Sequence, residues 1–270
     1  MTGAQDRNSP DRQAPGPANR PTGRTASMPV AALLFDPAMR PSLADLEALA
    51  RSSCVFRVTD TSAGQASAGR ASAGQAELFR DGLTFDCHGL APAAALRIDT
   101  PLQKITLPAD FLARDHALIT LCPGAHLAGA AQLLPVVRVL SGLVMALSEL
   151  PGTRAIAWLP ARLAMSPRWF VEAVGIWLKG GPFPALALTA LARSEQGYVS
   201  RGLAYFVGQE FVFTGKDGIL READVRGAVR LTDWLVAHGH VDCAQKVELA
   251  GFGTVQLEPH GQNSLRAHTL

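Results

Sequence analysis

The stretch that most narrows the options for this chain is Ala117–Val137, a run with no Asp, Glu, Lys or Arg. It approaches the roughly 20 apolar residues that a membrane-spanning helix requires. Pro123-Gly124 breaks the run, and His126, Gln132 and Pro135 are poorly suited to hydrocarbon. A strand followed by a buried helix accounts for the same residues at lower cost. Ala117–Leu121, apolar apart from Thr120, then reads as a central strand, because a strand covered on both faces loses its polar alternation. From His126 to Leu150 the apolar positions Leu127, Leu133, Leu134, Val137, Leu140, Val144 and Leu147 cover more than one face of a helix. Pro135 either kinks that helix or marks its true start.

The flanking sequence supplies more of the same material. Val30–Phe35 is a short apolar run, and Ser42 with Asp45 three residues on reads as a capped helix start leading through Leu43, Leu46 and Leu49 to a second run, Cys54–Val58. Two parallel strands joined by a crossover is the simplest reading of that unit. Leu83–Cys87, Ala95–Ile98 and Arg154–Leu159 follow as strands. Ser166-Pro167 then caps a helix whose inward stripe is Phe170, Val174 and Trp177, ended by Gly180-Gly181-Pro182.

Ala185–Leu191 reads as a further strand, and Arg201–Phe213 as a β-type run with Gly208 as its bulge. In that run Leu203, Tyr205 and Val207 would share a face. After the bulge, Phe211 and Phe213 would oppose Glu210 and Val212. A last helix over Glu222–His238 places Val225, Val229, Thr232 and Val236 together and stops at Gly239, before a closing strand at Thr254–Glu258. The fold expected is α+β, a mixed or antiparallel sheet with helices mainly on one face. Two related strand-helix-strand halves meeting near Gly202 is the arrangement considered for it.

At 270 residues and 48% hydrophobic content the chain can build a substantial core. Residues 1–27, rich in Pro, Gly, Asn, Gln and Arg, are expected as a disordered tail. Met28, just before the first apolar run, is a candidate translation start. Residues 28–260 are expected as one α+β domain, and residues 261–270 as a second disordered tail. Within the domain, Ser62–Ala76 is a triple repeat of Ser-Ala-Gly-Gln/Arg-Ala, read as a flexible insertion whose removal would scarcely move the melting temperature.

Of 25 basic and 23 acidic residues, Arg7, Arg12, Arg20, Arg24, Asp6 and Asp11 lie in the first 27, so the remainder has no formal net charge. That is not the footprint of a dedicated nucleic-acid binder. Four scattered cysteines and no secretory leader point to reduced thiols in a cytoplasm. Nucleic acid and membrane are thus not expected partners.

The second half resembles the bacterial domain of unknown function 4261 family, best over about residues 154–257. Gly202-Leu203 followed by Phe206 and Glu210 is similar to that family's glycine-leucine, aromatic, glutamate pattern, and Trp234–Gly239 to the helix end that follows it. Asp242-Cys243-Ala244-Gln245 departs from the glycine-containing turn expected next. The resemblance implies no reaction and no substrate.

Three residues are candidates for chemistry. Glu210, beside glycine and aromatics, would suit proton transfer if desolvated, although most strand glutamates face water. Cys122 and His126, four apart across Pro123-Gly124, would make a nucleophile and base at a helix start, against the commoner reading of a buried cysteine beside a surface histidine. Cys87, His88, His116, His238, His240 and Cys243 are zinc-ligand types without paired spacing, so no metal is expected. No phosphate loop or dinucleotide motif occurs, and no cofactor is expected. The sequence therefore favours a non-catalytic module binding a protein partner or a small ligand. The alternative is a hydrolase using Glu210 or the Cys122/His126 pair.

Overall fold

The fully buried strand Ala117–Pro123 lies in the interior of an eight-stranded sheet, as its lack of polar alternation requires. The computed structural model describes residues 28–59 and 74–270, and these form two mixed sheets in an α+β fold.

The first sheet contains β1 (Ala31–Phe35), β2 (Arg57–Thr59), β3 (Gln75–Arg80), β4 (Leu83–His88), β5 (Gln103–Ile105), β6 (Ala117–Pro123), β7 (Thr153–Trp158) and β8 (Leu163–Met165). Their order is β2-β3-β4-β6-β1-β7-β8-β5, antiparallel throughout except for the β5–β8 pair. Leu33, Phe35, Ile119, Leu121, Ile156 and Trp158 point to one face. There they meet α1 (Leu43–Ser53), α2 (Leu134–Leu147) and α3 (Pro167–Leu178). The alternate residues Ala32, Leu34, Leu118, Ala155 and Ala157 pack under Ile98, Leu102, Leu107 and Phe111.

The second sheet contains β9 (Ala190–Ser194), β10 (Gly197–Arg201), β11 (Glu210–Thr214), β12 (Gln245–Leu249), β13 (Gly253–Pro259) and β14 (Ser264–Thr269). Its order is β12-β13-β14-β11-β10-β9, with β11 and β14 parallel. A helix, α6 (Glu222–His238), lays Ala228, Leu231 and Leu235 on Phe211, Phe213, Val255, Leu257 and Leu265. The opposite face of this sheet carries Val212, Gln256, Arg266 and His268, all half-buried or exposed.

Several local expectations hold. Ser42 and Asp45 form a capping box at α1, and Ser166 Oγ accepts the N–H of Trp169 at α3. The buried residues of α3 are Phe170, Val174 and Trp177. Pro135 marks a helix start, since α2 begins at Leu134 and residues 125–127 form only a 3-10 turn.

Others are corrected. β1 and β2 run in the same direction but three strands separate them, so the short α1 makes no adjacent crossover. Ala95–Ile98 forms no strand and contributes one bridge, Leu96 to Leu118. Ala185–Leu188 is a helical turn, α4, and the strand begins only at Ala190. The inward face of α6 is rotated from the expected valines to Asp224, Gly227, Ala228, Leu231, Thr232 and Leu235. Residues 261–270 are no tail, because β14 sits between β11 and β13 with Leu265 and Ala267 buried. The end of the repeat is structural as well: Gln75 and Ala76 open β3, and Ala76 is buried. Residues 1–27, including the expected tail, and residues 62–73 of the repeat lie outside the described residues.

The Arg201–Phe213 run is two strands and a turn. β10 ends at Arg201, a single helical turn, α5 (Ala204–Val207), intervenes, and β11 starts at Glu210. Gly208, at φ 77°, closes α5 in the left-handed region and is not a bulge; Leu203, Tyr205 and Val207 consequently share no strand face. Phe211 and Phe213 do point inward, opposite Glu210 and Val212. The turn is also where the two sheets meet. Tyr205 donates its hydroxyl to Ala131 O at 2.8 Å and stands edge-on to Trp158, while Phe206 packs edge-on to Phe183, which in turn meets Trp177.

Candidate functional site

Glu210 opens β11, half-buried, and its carboxylate is fully engaged. Oε1 accepts the backbone N–H groups of Gly202 at 2.7 Å and Ala204 at 3.1 Å, and Oε2 accepts the hydroxyl of Ser200 at 2.5 Å. Ser200 Oγ in turn accepts the N–H of Phe211 at 2.7 Å. These bonds satisfy donors that the one-turn helix α5 would otherwise leave unpaired. Among the described residues the carboxylate bonds neither a histidine nor a second acid, so the arrangement supplies a clasp on the turn rather than a proton-transfer pair.

Cys122 lies at the end of β6, opposite Asp86 on β4. Burial and then the nearby Asp86 push its thiol up to about 11. That is the reverse of what a nucleophilic cysteine needs, since a reactive thiolate requires a lowered value. His126 follows in the 3-10 turn after β6, and its Nδ1 lies 3.1 Å from the hydroxyl of Thr84. The sequence neighbours are thus held by different partners on β4.

The remaining histidines and cysteines are spread through the fold. Cys87 is buried on β4, its thiol raised to about 12 chiefly by burial. His116 stacks on Phe111, and His238 stacks on Trp234 while bonding the carbonyl of the same residue. His240 Nδ1 lies 3.0 Å from Asp242. Among the described residues no three His, Cys, Asp or Glu side chains are grouped so as to hold a metal ion.

One concavity is not foreseen from the sequence. It is an open groove of about 880 Å³ on the open face of the second sheet, within the usual size range of small-molecule sites. Its floor is β11 and β14, with Val212 beside Arg266 and Thr214 beside His268 in register. The Lys216–Gly218 turn lines part of it, and His260 and Glu258 another part. Arg266 and Glu258 are direct cross-strand neighbours, yet the guanidinium Nη2 lies 3.3 Å from His260 Nε2, and among the described residues no carboxylate is within ion-pair distance of it. The signal was available: Ser264-Leu265-Arg266-Ala267-His268 alternates with period two, the pattern of a half-buried strand.

No protein-family model, curated protein or solved structure matches this chain.

Proposed function

We propose that this chain is a non-catalytic binding module, acting in a bacterial cytoplasm, that engages a small ligand or a protein partner on the open face of its second sheet. The observation that carries this reading is the groove over β11 and β14, lined by both polar and apolar groups and formed on the sheet face opposite α6. The hydrolase alternative loses support from the same geometry, since Glu210 is consumed by the α5 turn and the Cys122 thiol is raised. We also retain kinship with the domain of unknown function 4261 family as a proposal. The residues of its pattern act together here: Gly202 bonds Glu210, Leu203 is buried against the second sheet, and Phe206 packs at the junction of the sheets.

The test is native mass spectrometry of untagged protein purified from its own cells, beside a Val212→Trp variant that fills the groove from its floor. The expected result is a reproducible bound species in the wild type that is lost from the variant, with far-ultraviolet circular dichroism unchanged. Absence of any bound species, or equal retention by the variant, would end the reading.

A further inference from the structure

Building on that binding reading, we infer that the occupant of the groove is a small molecule bearing an anionic oxygen group, a carboxylate or a phosphate, gripped by Arg266 between His260 and His268. The argument starts from how a sheet disposes of a surface arginine. A cross-strand carboxylate is the ordinary partner, because opposite charges directly across a strand pair stabilise it. Glu258 occupies that position against Arg266, but the guanidinium is turned to an imidazole. Arginine only donates, so His260 Nε2 accepts from it, and among the described residues the remaining guanidinium donors meet no carboxylate. A planar fork of donors matches carboxylate and phosphate oxygens in a bidentate way that a lysine does not.

The surroundings extend the same chemistry. His268 stands two residues along β14 on the same face, with its strand neighbour Thr214 supplying a hydroxyl. Lys216 adds a second cation, and it, Arg266, His260 and the acidic Asp217 and Glu258 all stand at the exposed rim. Thr214, Ser264 and Thr269 are half-buried hydroxyls in the lining, and Val212 offers a small apolar contact for the body of such a ligand.

The experiment follows the side-chain resonances of His260 and His268 by nuclear magnetic resonance while the full chain is titrated with inorganic phosphate and, separately, with citrate. At least one anion is expected to move both histidines saturably, with a dissociation constant of about 1 mM. Saturation by phosphate alone identifies a phosphate ligand, and saturation by citrate alone a carboxylate. Arg266→Gln should weaken binding at least about tenfold, the effect of losing a charge-assisted bidentate contact. Arg266→Lys should fall between, and Glu258→Gln should tighten it. Arg168→Gln, which removes an exposed pair on α3, should change nothing. Absence of saturation with either anion, or equal affinity in Arg266→Gln, overturns the inference. Should Val212→Trp still abolish a natively bound species in that event, the groove binds something other than an anion, and the binding reading survives alone.

Discussion

Oε1 of Glu210 accepts the N–H of Gly202 across 2.7 Å, tying the first residue of β11 to the residue that follows β10. The bond closes the turn from which Tyr205 and Phe206 reach the first sheet. Removing the carboxylate leaves two backbone donors and the Ser200 hydroxyl without their acceptor, and bonds to a charged group contribute about 1.5–3 kcal/mol. Glu210→Ala should therefore lower the unfolding free energy by about 2–3 kcal/mol in urea titrations, and Glu210→Gln, which keeps one acceptor oxygen, by about 1 kcal/mol. An alanine variant as stable as the wild type would show that the clasp contributes nothing.

The buried thiols and Tyr205 set an alkaline limit. Cys87 and Cys122 are raised from 9.0 to about 12 and about 11, and Tyr205 from 10.0 to about 12, all by burial first. Each group stays neutral in the folded chain over a range where the unfolded chain ionises. The stability they contribute is therefore fully present below about pH 9 and is lost as pH rises toward 11–12. The slope approaches about 1.4 kcal/mol per pH unit for a group such as Cys87. Denaturant titrations at pH 8 and pH 10 should show the decline, and Cys87→Ala should make it shallower. Thiol labelling at pH 8 should reach the exposed Cys54 and Cys243 quickly and the buried pair slowly.

Much of the first sheet was legible because its signals are local. The Ser42/Asp45 box, the Ser166-Pro167 start and the Phe170, Val174, Trp177 stripe each lie within a few residues and need no tertiary context. What misled was β-type composition shared by unlike neighbours. Tyr205, Phe206 and Val207 read as strand, yet the junction of the sheets holds them as a helical turn, a tertiary contact overriding propensity. The α6 face was misjudged because its valines are half-buried while Asp224 and Gly227 point inward, the former accepting the N–H of Arg221 as a cap. Of the candidate site residues, Glu210 stands out in the sequence, which does not show that three donors already occupy it. The groove is not part of the expectation because residues 261–270 are expected as a tail, which leaves Arg266 and His268 outside the domain.

The repeat offers a graded test of where structure begins. Gln75 pairs with His88 and Ala76 with Cys87, and Ala76 is buried. Deleting residues 62–73 leaves β3 whole, whereas deleting through Ala76 removes its first two residues. The longer deletion should lower the melting temperature by several degrees more than the shorter one, as about 1 kcal/mol shifts a domain of this size by a few degrees. Equal melting temperatures would mean that the start of β3 adds nothing to the sheet.

Gly202 offers the sharpest test of how the two sheets are joined. Its φ is +83°, and a Cβ there would lie 2.7 Å from both Cα and Cβ of Ala161, in the β7–β8 connection of the first sheet. Two costs follow from Gly202→Ala. The left-handed backbone costs a residue with a Cβ roughly 1–2 kcal/mol, and the contact with the Ala161 backbone must be relieved by movement of one sheet against the other. The combined loss should reach about 3 kcal/mol, near the upper end for single substitutions. The second cost should appear as altered fluorescence of Trp158, which packs against Tyr205 in the same turn. The companion Ala161→Gly removes one of the two contacting carbons and leaves φ untouched, so the double variant should recover part of the loss and retain the backbone penalty. A positive coupling in that cycle locates the clash between the sheets. Strict additivity would mean that the loss comes from backbone strain alone and that the sheets are not held together at this point.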